Sequence, residues 1–375
     1  MRLLVACLVL VGCHAHSAIP PGASRTPLPP PPSVAEELGS LRNARIAIAR
    51  GAERNTLTYF AQELTDAQCR ELAAAAPSVN VVVGLSREEA LARADEAHGI
   101  DGRYATNEFL RAAPQLVWVQ AHSAGVDRYL SIPELMHEDR IVLTNLRGVH
   151  GPAIADHVFA MLLTLTRDLP VHLAGRAEGR WRREGSGVLR SIALRDRTLL
   201  VVGLGGIGTE VARRGHGFGM RVIATRRSDD PAPDFVERVG RSPDLLAFLA
   251  EADVVVLCVP LTPETEQLFD REAFSAMKRG SYLVNIARGR VVDTDALLDA
   301  LRSSQLAGAC LDVTDPEPLP ADHALWQFPN VVITPHVAAS AELTEERAWE
   351  LFRENLRRFD AGEPLLNVVD KAAGY

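Results

Sequence analysis

The sequence predicts an α/β protein built from two doubly wound parallel-sheet domains. Three observations carry that expectation. Short apolar runs recur along the chain without the polar alternation of a half-exposed strand, as strands buried on both faces do. Segments with helical apolar spacing separate them, giving a βα alternation. The chain also has 375 residues, 47% of them hydrophobic, enough for two cores of ordinary size.

In the first alternation, strands are expected at residues 44–49, 79–84, 116–119 and 141–144, with helices at 61–76 and 107–113. Residues 154–169 are apolar on most helical faces, which suggests a helix buried between domains or at a dimer contact. Residues 176–190, charged and glycine-containing with Trp181 among them, read as an exposed connection. A second alternation starts at Thr198. It runs as strand 198–202, a glycine turn, a helix through Gly215, strand 221–224 and helix 245–250. Strand 253–258, ended by Pro260, is followed by helix 271–277, strand 282–285 and helix 293–302. Strands at 307–312 and 331–334 and an amphipathic helix at 342–358 complete it.

Residues 1–42 read differently. Arg2 precedes an apolar run over residues 3–11 and then Gly12-Cys13, the shape of a secretory signal. Leu10-Val11-Gly12-Cys13 resembles a bacterial lipoprotein cleavage box with Cys13 as the lipidated residue. Prolines crowd residues 19–32, and such a stretch is an extended tether. The expected division is a signal over 1–18, with a lipoprotein cut before Cys13, and a linker over 19–42. Export or membrane anchoring is the first expectation for location. A cytoplasmic enzyme with a misplaced start codon is the alternative. The apolar run is far short of the roughly 20 residues of a spanning helix. A formal net charge of −8 and the lack of a dense Lys/Arg block argue against a nucleic-acid surface. The five cysteines form no CxxC pair, so neither a metal site nor a disulfide scaffold is expected.

Gly203-Leu204-Gly205-Gly206-Ile207-Gly208 reads G-x-G-x-x-G between a strand and a helix, the context that makes this motif specific for a dinucleotide. Gly203 permits the tight turn, Gly205 the approach of a pyrophosphate, and Gly208 close packing of helix on strand. The helix N-terminus adds N–H groups and a positive dipole end. The next strand ends Thr225-Arg226-Arg227-Ser228, without the acidic residue that accepts from the ribose of NAD. Thr225 does not repel a phosphate, and Arg226 and Arg227 can pair with one. NADP is therefore the preferred cofactor, with NAD as the alternative. The bland reading of the arginines is a solvated pair beside Asp229 and Asp230.

Three groups fall just past strand ends, where ligands bind in open sheets: Arg288, Glu317 and His336. Arg288 can hold a substrate carboxylate and polarise its carbonyl. His336 can protonate the oxygen as hydride arrives, since imidazole exchanges protons near neutral pH. Glu317 can bond the other ring nitrogen and favour the protonated ring. His122, His150 and His157 have no comparable support and read as structural or peripheral.

With Gly203–Gly208, 285–293, 311–319 and 330–339 in view, the chain resembles the D-isomer-specific 2-hydroxyacid dehydrogenase family over about residues 43–370. The resemblance implies a Rossmann NAD(P)-binding domain, 148–335, inserted into a flavodoxin-like substrate domain, 43–147 and 336–375. It matches Arg288, Glu317 and His336 to the family's catalytic residues. It implies that the Ser123-Ala124-Gly125 backbone touches the substrate carboxylate and that Asp312 bonds the nicotinamide amide. Gly206, Ile207, Pro260, Ala287 and Arg288 are implied cofactor neighbours. A homodimer acting on a small 2-oxo or 2-hydroxy acid is implied as well. There are departures: Thr225-Arg226-Arg227 is similar to the NADP-using glyoxylate/hydroxypyruvate reductases, Asp156-His157 stands where Glu-His is common, and Ala339 where glycine is frequent. Residues 1–42 are foreign to the family. Two other functions are weighed: a phosphoglycerate dehydrogenase-like enzyme, disfavoured because no regulatory domain follows the last helix, and a non-catalytic cofactor-sensing protein.

Overall fold

The computed structural model describes residues 56–177, 179–181 and 191–374. The expected signal over 1–18 with Cys13, the linker over 19–42, the strand at 44–49 and part of the 176–190 connection lie outside the described residues.

Five parallel strands make the first sheet: β1 (Leu57–Ala61), β2 (Val79–Val83), β3 (Gly99–Asp101), β4 (Trp118–Gln120) and β5 (Val142–Thr144), in the order β2-β1-β3-β4-β5. That is the flavodoxin-like order, with a switch point between β1 and β3. Strand β1 corrects the sequence reading, which began a helix at residue 61. All five residues of its Leu-Thr-Tyr-Phe-Ala run are buried, and the helix starts only at Asp66. Thr65 fixes that start: its side chain accepts from Gln68 N while the Gln68 side chain accepts from Thr65 N at 2.9 Å. This capping box ties down two otherwise orphaned helix-end donors.

Seven parallel strands make the second sheet: β6 (Thr198–Val202), β7 (Arg221–Thr225), β8 (Arg238–Gly240), β9 (Val254–Leu257), β10 (Ser281–Asn285), β11 (Leu306–Leu311) and β12 (Val331–Ile333). Their order is β12-β11-β10-β9-β6-β7-β8, every neighbouring pair being parallel. Counted from β6, this is the dinucleotide-fold order 3-2-1-4-5-6 with one strand added beyond. The reversal between β6 and β9 opens a crevice at their C-terminal ends. The strand ends expected from sequence lie within a residue or two of those observed, except that β1, β3 and β8 were not anticipated, the last two having three residues each.

Both faces of the second sheet are covered. Helix Gly151–Thr166 lays Ile154, Val158, Leu162 and Leu165 against Val201, Val256 and Cys310. On the opposite face, Leu297 and Leu301 of helix Thr294–Arg302 pack with Leu200, Val255 and Leu283. The all-round apolar character of residues 154–166 thus has an explanation within this chain. Helix Glu342–Ala361 belongs instead with the first sheet, where Leu356 and Phe359 join Tyr59 and Trp118. The Trp118 and Phe359 ring centroids are 5.1 Å apart, and such pairs add about 0.5–1.5 kcal/mol beyond their buried area. The chain therefore leaves the first sheet after β5, builds the second, and returns to pair Val368 with Thr144. Trp181 is 93% exposed, in keeping with an exposed connection. Among the described residues no helix is long and apolar enough to cross a membrane.

Candidate active site

The turn after β6 is shaped by two glycines in particular. Gly203 has φ +100, and a Cβ there would lie 2.9 Å from the Cys258 carbonyl carbon beyond β9. A Cβ on Gly208 would meet the Gly203 carbonyl oxygen at 2.1 Å, so helix Gly206–Gly217 packs onto the turn only with glycine there. Gly205 is different: nothing lies within 4 Å of its missing Cβ. Its bareness serves something other than this chain's own packing. Gly205 is also the N-cap and offers no side-chain cap, which leaves the helix-end N–H groups for an anion. Gly206 passes 3.3 Å from the Gly148 Cα at its own absent Cβ, and Ile207 packs against the second sheet's core. Pro260, exposed past β9, accepts from Thr265 Oγ1 at 2.6 Å.

At the end of β7, Thr225 is buried and its carbonyl accepts from Gly203 N at 3.0 Å and Leu204 N at 2.9 Å. Arg226 keeps a buried Nε without a hydrogen-bond partner, a donor that a bound anion would satisfy. Arg227 Nη2 donates to Ala373 O at 3.5 Å. Arg241, not anticipated from sequence, straps this segment: its Nη1 donates to the carbonyls of Arg227 and Ser228, the latter at 2.9 Å, and its Nη2 pairs with Asp229. Asp229 thus neutralises Arg241 rather than Arg226. These features fit a dinucleotide carrying an extra phosphate on its ribose.

The remaining groups sit past β10, β11 and β12, three adjacent strands. Asn285, buried at the end of β10, accepts from Ala287 N at 3.0 Å and donates to Arg288 O at 3.0 Å, which fixes the turn carrying Arg288. A Cβ on Gly289 would lie 1.9 Å from Thr314 O, so this turn and the loop after β11 are in direct contact. Glu317 Oε1 and His336 Nδ1 are 2.7 Å apart, both side chains nearly half exposed. His336 has φ +55, a conformation that costs a non-glycine residue roughly 1–3 kcal/mol.

Asp312 offsets that cost. Its backbone oxygen accepts from His336 N at 2.8 Å. Its buried carboxylate accepts from Val337 N at 2.9 Å, Ala338 N at 3.0 Å and Thr334 Oγ1 at 2.6 Å. The Asp312 side chain therefore anchors the loop that aims His336, a task beyond the amide contact expected of it. His157 Nε2 supports the same network at 3.0 Å from Thr334 Oγ1.

Arg288 is joined to the first domain rather than to Glu317 or His336. Its Nε and Nη2 donate to Asp127 Oδ2 at 3.1 and 3.0 Å, and its Nη1 donates to Ala287 O at 2.7 Å. The guanidinium lies where a side chain at Gly125 would be, Nη2 standing 1.6 Å from that residue's missing Cβ. The Ser123-Ala124-Gly125 loop is thus pressed against Arg288. It is held by Ser123 Oγ donating to Gly125 O at 2.6 Å and Asn145 Nδ2 donating to Ala124 O at 2.9 Å. Of the other histidines, His122 Nε2 lies 2.6 Å from the buried Asp101 carboxylate. His150 is buried, and desolvation lowers its pKa below the ordinary histidine value. Among the described residues no cluster of His, Cys, Asp and Glu could hold a metal ion.

Known proteins resemble this chain in sequence and fold. The profile of the D-isomer specific 2-hydroxyacid dehydrogenase NAD-binding domain matches residues 159–338. A glyoxylate reductase of Korarchaeum cryptofilum is 38% identical over 268 residues, covering 70% of this chain and 79% of that protein. A D-3-phosphoglycerate dehydrogenase of Methanocaldococcus jannaschii is 32% identical, but the match spans 55% of its length. A D-isomer specific 2-hydroxyacid dehydrogenase from Xanthobacter autotrophicus Py2, solved with NADPH and MES, superposes with a TM-score of 0.72 at 31% identity. The superposition covers 85% of this chain and 99% of that one. The chain belongs to the D-isomer-specific 2-hydroxyacid dehydrogenase family and is an NAD(P)-dependent oxidoreductase.

Proposed function

We propose that the chain is an NADPH-preferring reductase of short 2-oxo acids, of the glyoxylate or hydroxypyruvate kind, with Arg288, Glu317 and His336 as its working residues. The observation that carries this reading is the 2.7 Å contact of Glu317 with His336 Nδ1 at the edge of a dinucleotide-binding sheet. Gly203, Gly205, Gly206 and Gly208 would seat the pyrophosphate, and Thr225, Arg226 and Arg227 the ribose phosphate. When bound, the reduced nicotinamide supplies a hydride to the substrate's carbonyl carbon.

The protein's own residues do the rest. Arg288 binds the 2-oxo acid's carboxylate by charge-assisted hydrogen bonds and, with the backbone of Ser123-Ala124-Gly125, orients its carbonyl. His336 donates the Nε2 proton to the carbonyl oxygen as negative charge develops there. Glu317 accepts from Nδ1, which leaves Nε2 as the proton carrier and stabilises the ring when both nitrogens are protonated. Asp312 holds the loop that keeps His336 in place. The reverse sequence oxidises the 2-hydroxy acid, with His336 as base.

NADPH preference rests on Arg226, whose orphaned Nε a phosphate would satisfy, and on the NADPH carried by the Xanthobacter relative. The test is a panel of glyoxylate, hydroxypyruvate, pyruvate and phenylpyruvate with NADH and with NADPH, and of 3-phosphoglycerate with NAD and NADP. Oxidation of NADPH by the short 2-oxo acids is expected. No turnover with any of them rejects the reductase, faster turnover with NADH rejects the cofactor preference, and turnover of phosphoglycerate alone favours the phosphoglycerate dehydrogenase reading. The apolar run ahead of Gly12-Cys13 supports a lipid-anchored, exported form. Palmitate labelling that a Cys13→Ser variant loses would support it, and labelling that persists in the variant would reject it.

A further inference from the structure

The ion pair between Arg288 and Asp127 joins residues 161 positions apart in the chain, one beyond β10 and one in the first domain. Asp127 opens a short helix, Asp127–Leu130, whose Tyr129 is buried in the first domain's core. Its carboxylate is therefore carried on a fixed platform.

A guanidinium has five N–H donors in a rigid plane. Among the described residues three of Arg288's donors are engaged: Nε and one on Nη2 with the single oxygen Asp127 Oδ2, and one on Nη1 with Ala287 O. The remaining two sit one each on Nη1 and Nη2. With Asp127 on the Nε/Nη2 edge, the free Nη2 donor is the one that faces Nη1, the half of the end-on fork that matches a carboxylate, which a donor of Nη1 completes. Gly125 completes the seat, since any side chain there would displace Nη2.

We infer that Asp127 is a positioning residue: it grips the Nε/Nη2 edge of Arg288 and so leaves the Nη1/Nη2 fork to take the carboxylate of the 2-oxo acid. The inference rests on Arg288 being the substrate's carboxylate anchor. Two opposing effects follow from the geometry, and they have opposite signs. A second negative charge beside the substrate carboxylate weakens binding. A guanidinium fixed in plane strengthens it, because no rotamer freedom is lost when substrate arrives. Two donors shared by one oxygen, on a buried platform, make orientation the larger effect.

The test uses full-length protein and two readouts: KM for glyoxylate with NADPH, and the affinity of oxamate, an unreactive carboxylate, for the NADPH-loaded protein. Asp127→Ala is expected to raise KM and weaken oxamate binding about tenfold, with NADPH affinity and the melting temperature unchanged. Asp127→Asn keeps an acceptor oxygen at the same place and is expected to stay within about threefold of wild type. In an Arg288→Lys background, where no planar fork exists to orient, Asp127→Ala is expected to cost less than about twofold. Unchanged or tighter oxamate binding in Asp127→Ala overturns the inference. So does an equal loss in the Arg288→Lys background, which would mean that Asp127 acts independently of Arg288. Wild-type protein that binds oxamate but turns over no 2-oxo acid counts against the proposed function alone, while failure to bind oxamate counts against both.

Discussion

Gly125→Ala separates substrate binding from folding. The new methyl group would lie 1.6 Å from Arg288 Nη2 and 2.8 Å from Cζ, far inside any real contact. The atoms it meets are the far end of a flexible side chain, so the guanidinium moves and the backbone does not. The fold loses little. The displaced ion pair with Asp127 is about a third exposed on each side, and such pairs are worth about 0–1 kcal/mol. The substrate loses more. One charge-assisted hydrogen bond contributes about 1.5–3 kcal/mol, and the fork offers two. Since the site is open to water, we take a single bond's worth, which is about 10- to 150-fold in kcat/KM. Initial rates with glyoxylate and NADPH, alongside a thermal melt and an NADPH titration, measure all three quantities. The expected result is that loss in kcat/KM, with a melting temperature within a few degrees of wild type and unchanged NADPH affinity. A kcat/KM within about threefold of wild type would refute the placement of Arg288 against this loop as the substrate's anchor.

Gly205→Ala points into open space, so the melting temperature should hold while KM for the cofactor rises by about tenfold or more, as the methyl group obstructs the pyrophosphate; an unchanged KM contradicts this. Arg226→Gln should lower kcat/KM with NADPH about tenfold and leave NADH within about twofold, and equal losses with both would contradict a phosphate contact. Acid should weaken the fold through His150, and His98 acts in the same direction: burial lowers the pKa of each below the ordinary histidine value. The unfolded chain then binds more protons than the native one as pH falls below about 6.5, so stability present above that pH is lost below it. The melting temperature should drop between about pH 7.5 and about pH 5.5, and by less in His150→Gln; equal drops in variant and wild type would contradict the assignment.

Much of this arrangement was legible along the chain because its signals are local. The glycine turn, the apolar runs of β6, β9, β10 and β11, and the short distance of Arg288 and His336 from strand ends all lie within a few residues. What escaped were features whose cause is distant in sequence. Strand β1, Leu57–Ala61, is buried on both faces, so it shows no alternation, and only Gln62-Glu63-Leu64-Thr65 separate it from the helix at Asp66. The capping box at Thr65 and Gln68 was the local signal that could have divided them. Strands β3 and β8 have three residues each, too few to show any period. Asp127, Arg241 and the Thr334–His157 support of Asp312 act across folds of the chain, and nothing beside them in sequence marks their role. Asp127 stands only two residues from Gly125, in a loop already singled out, yet its partner lies 161 residues away.

The central claim is hydride transfer to a 2-oxo acid with His336 as the proton donor. It is tested most directly by the glyoxylate-dependent oxidation of NADPH, measured side by side in wild-type protein and His336→Gln at equal cofactor saturation. Wild type is expected to turn over, and the variant to lose about 100- to 10,000-fold in kcat while binding NADPH as before. Wild-type protein that leaves NADPH intact with glyoxylate, or a variant that oxidises it at the wild-type rate, would contradict the account.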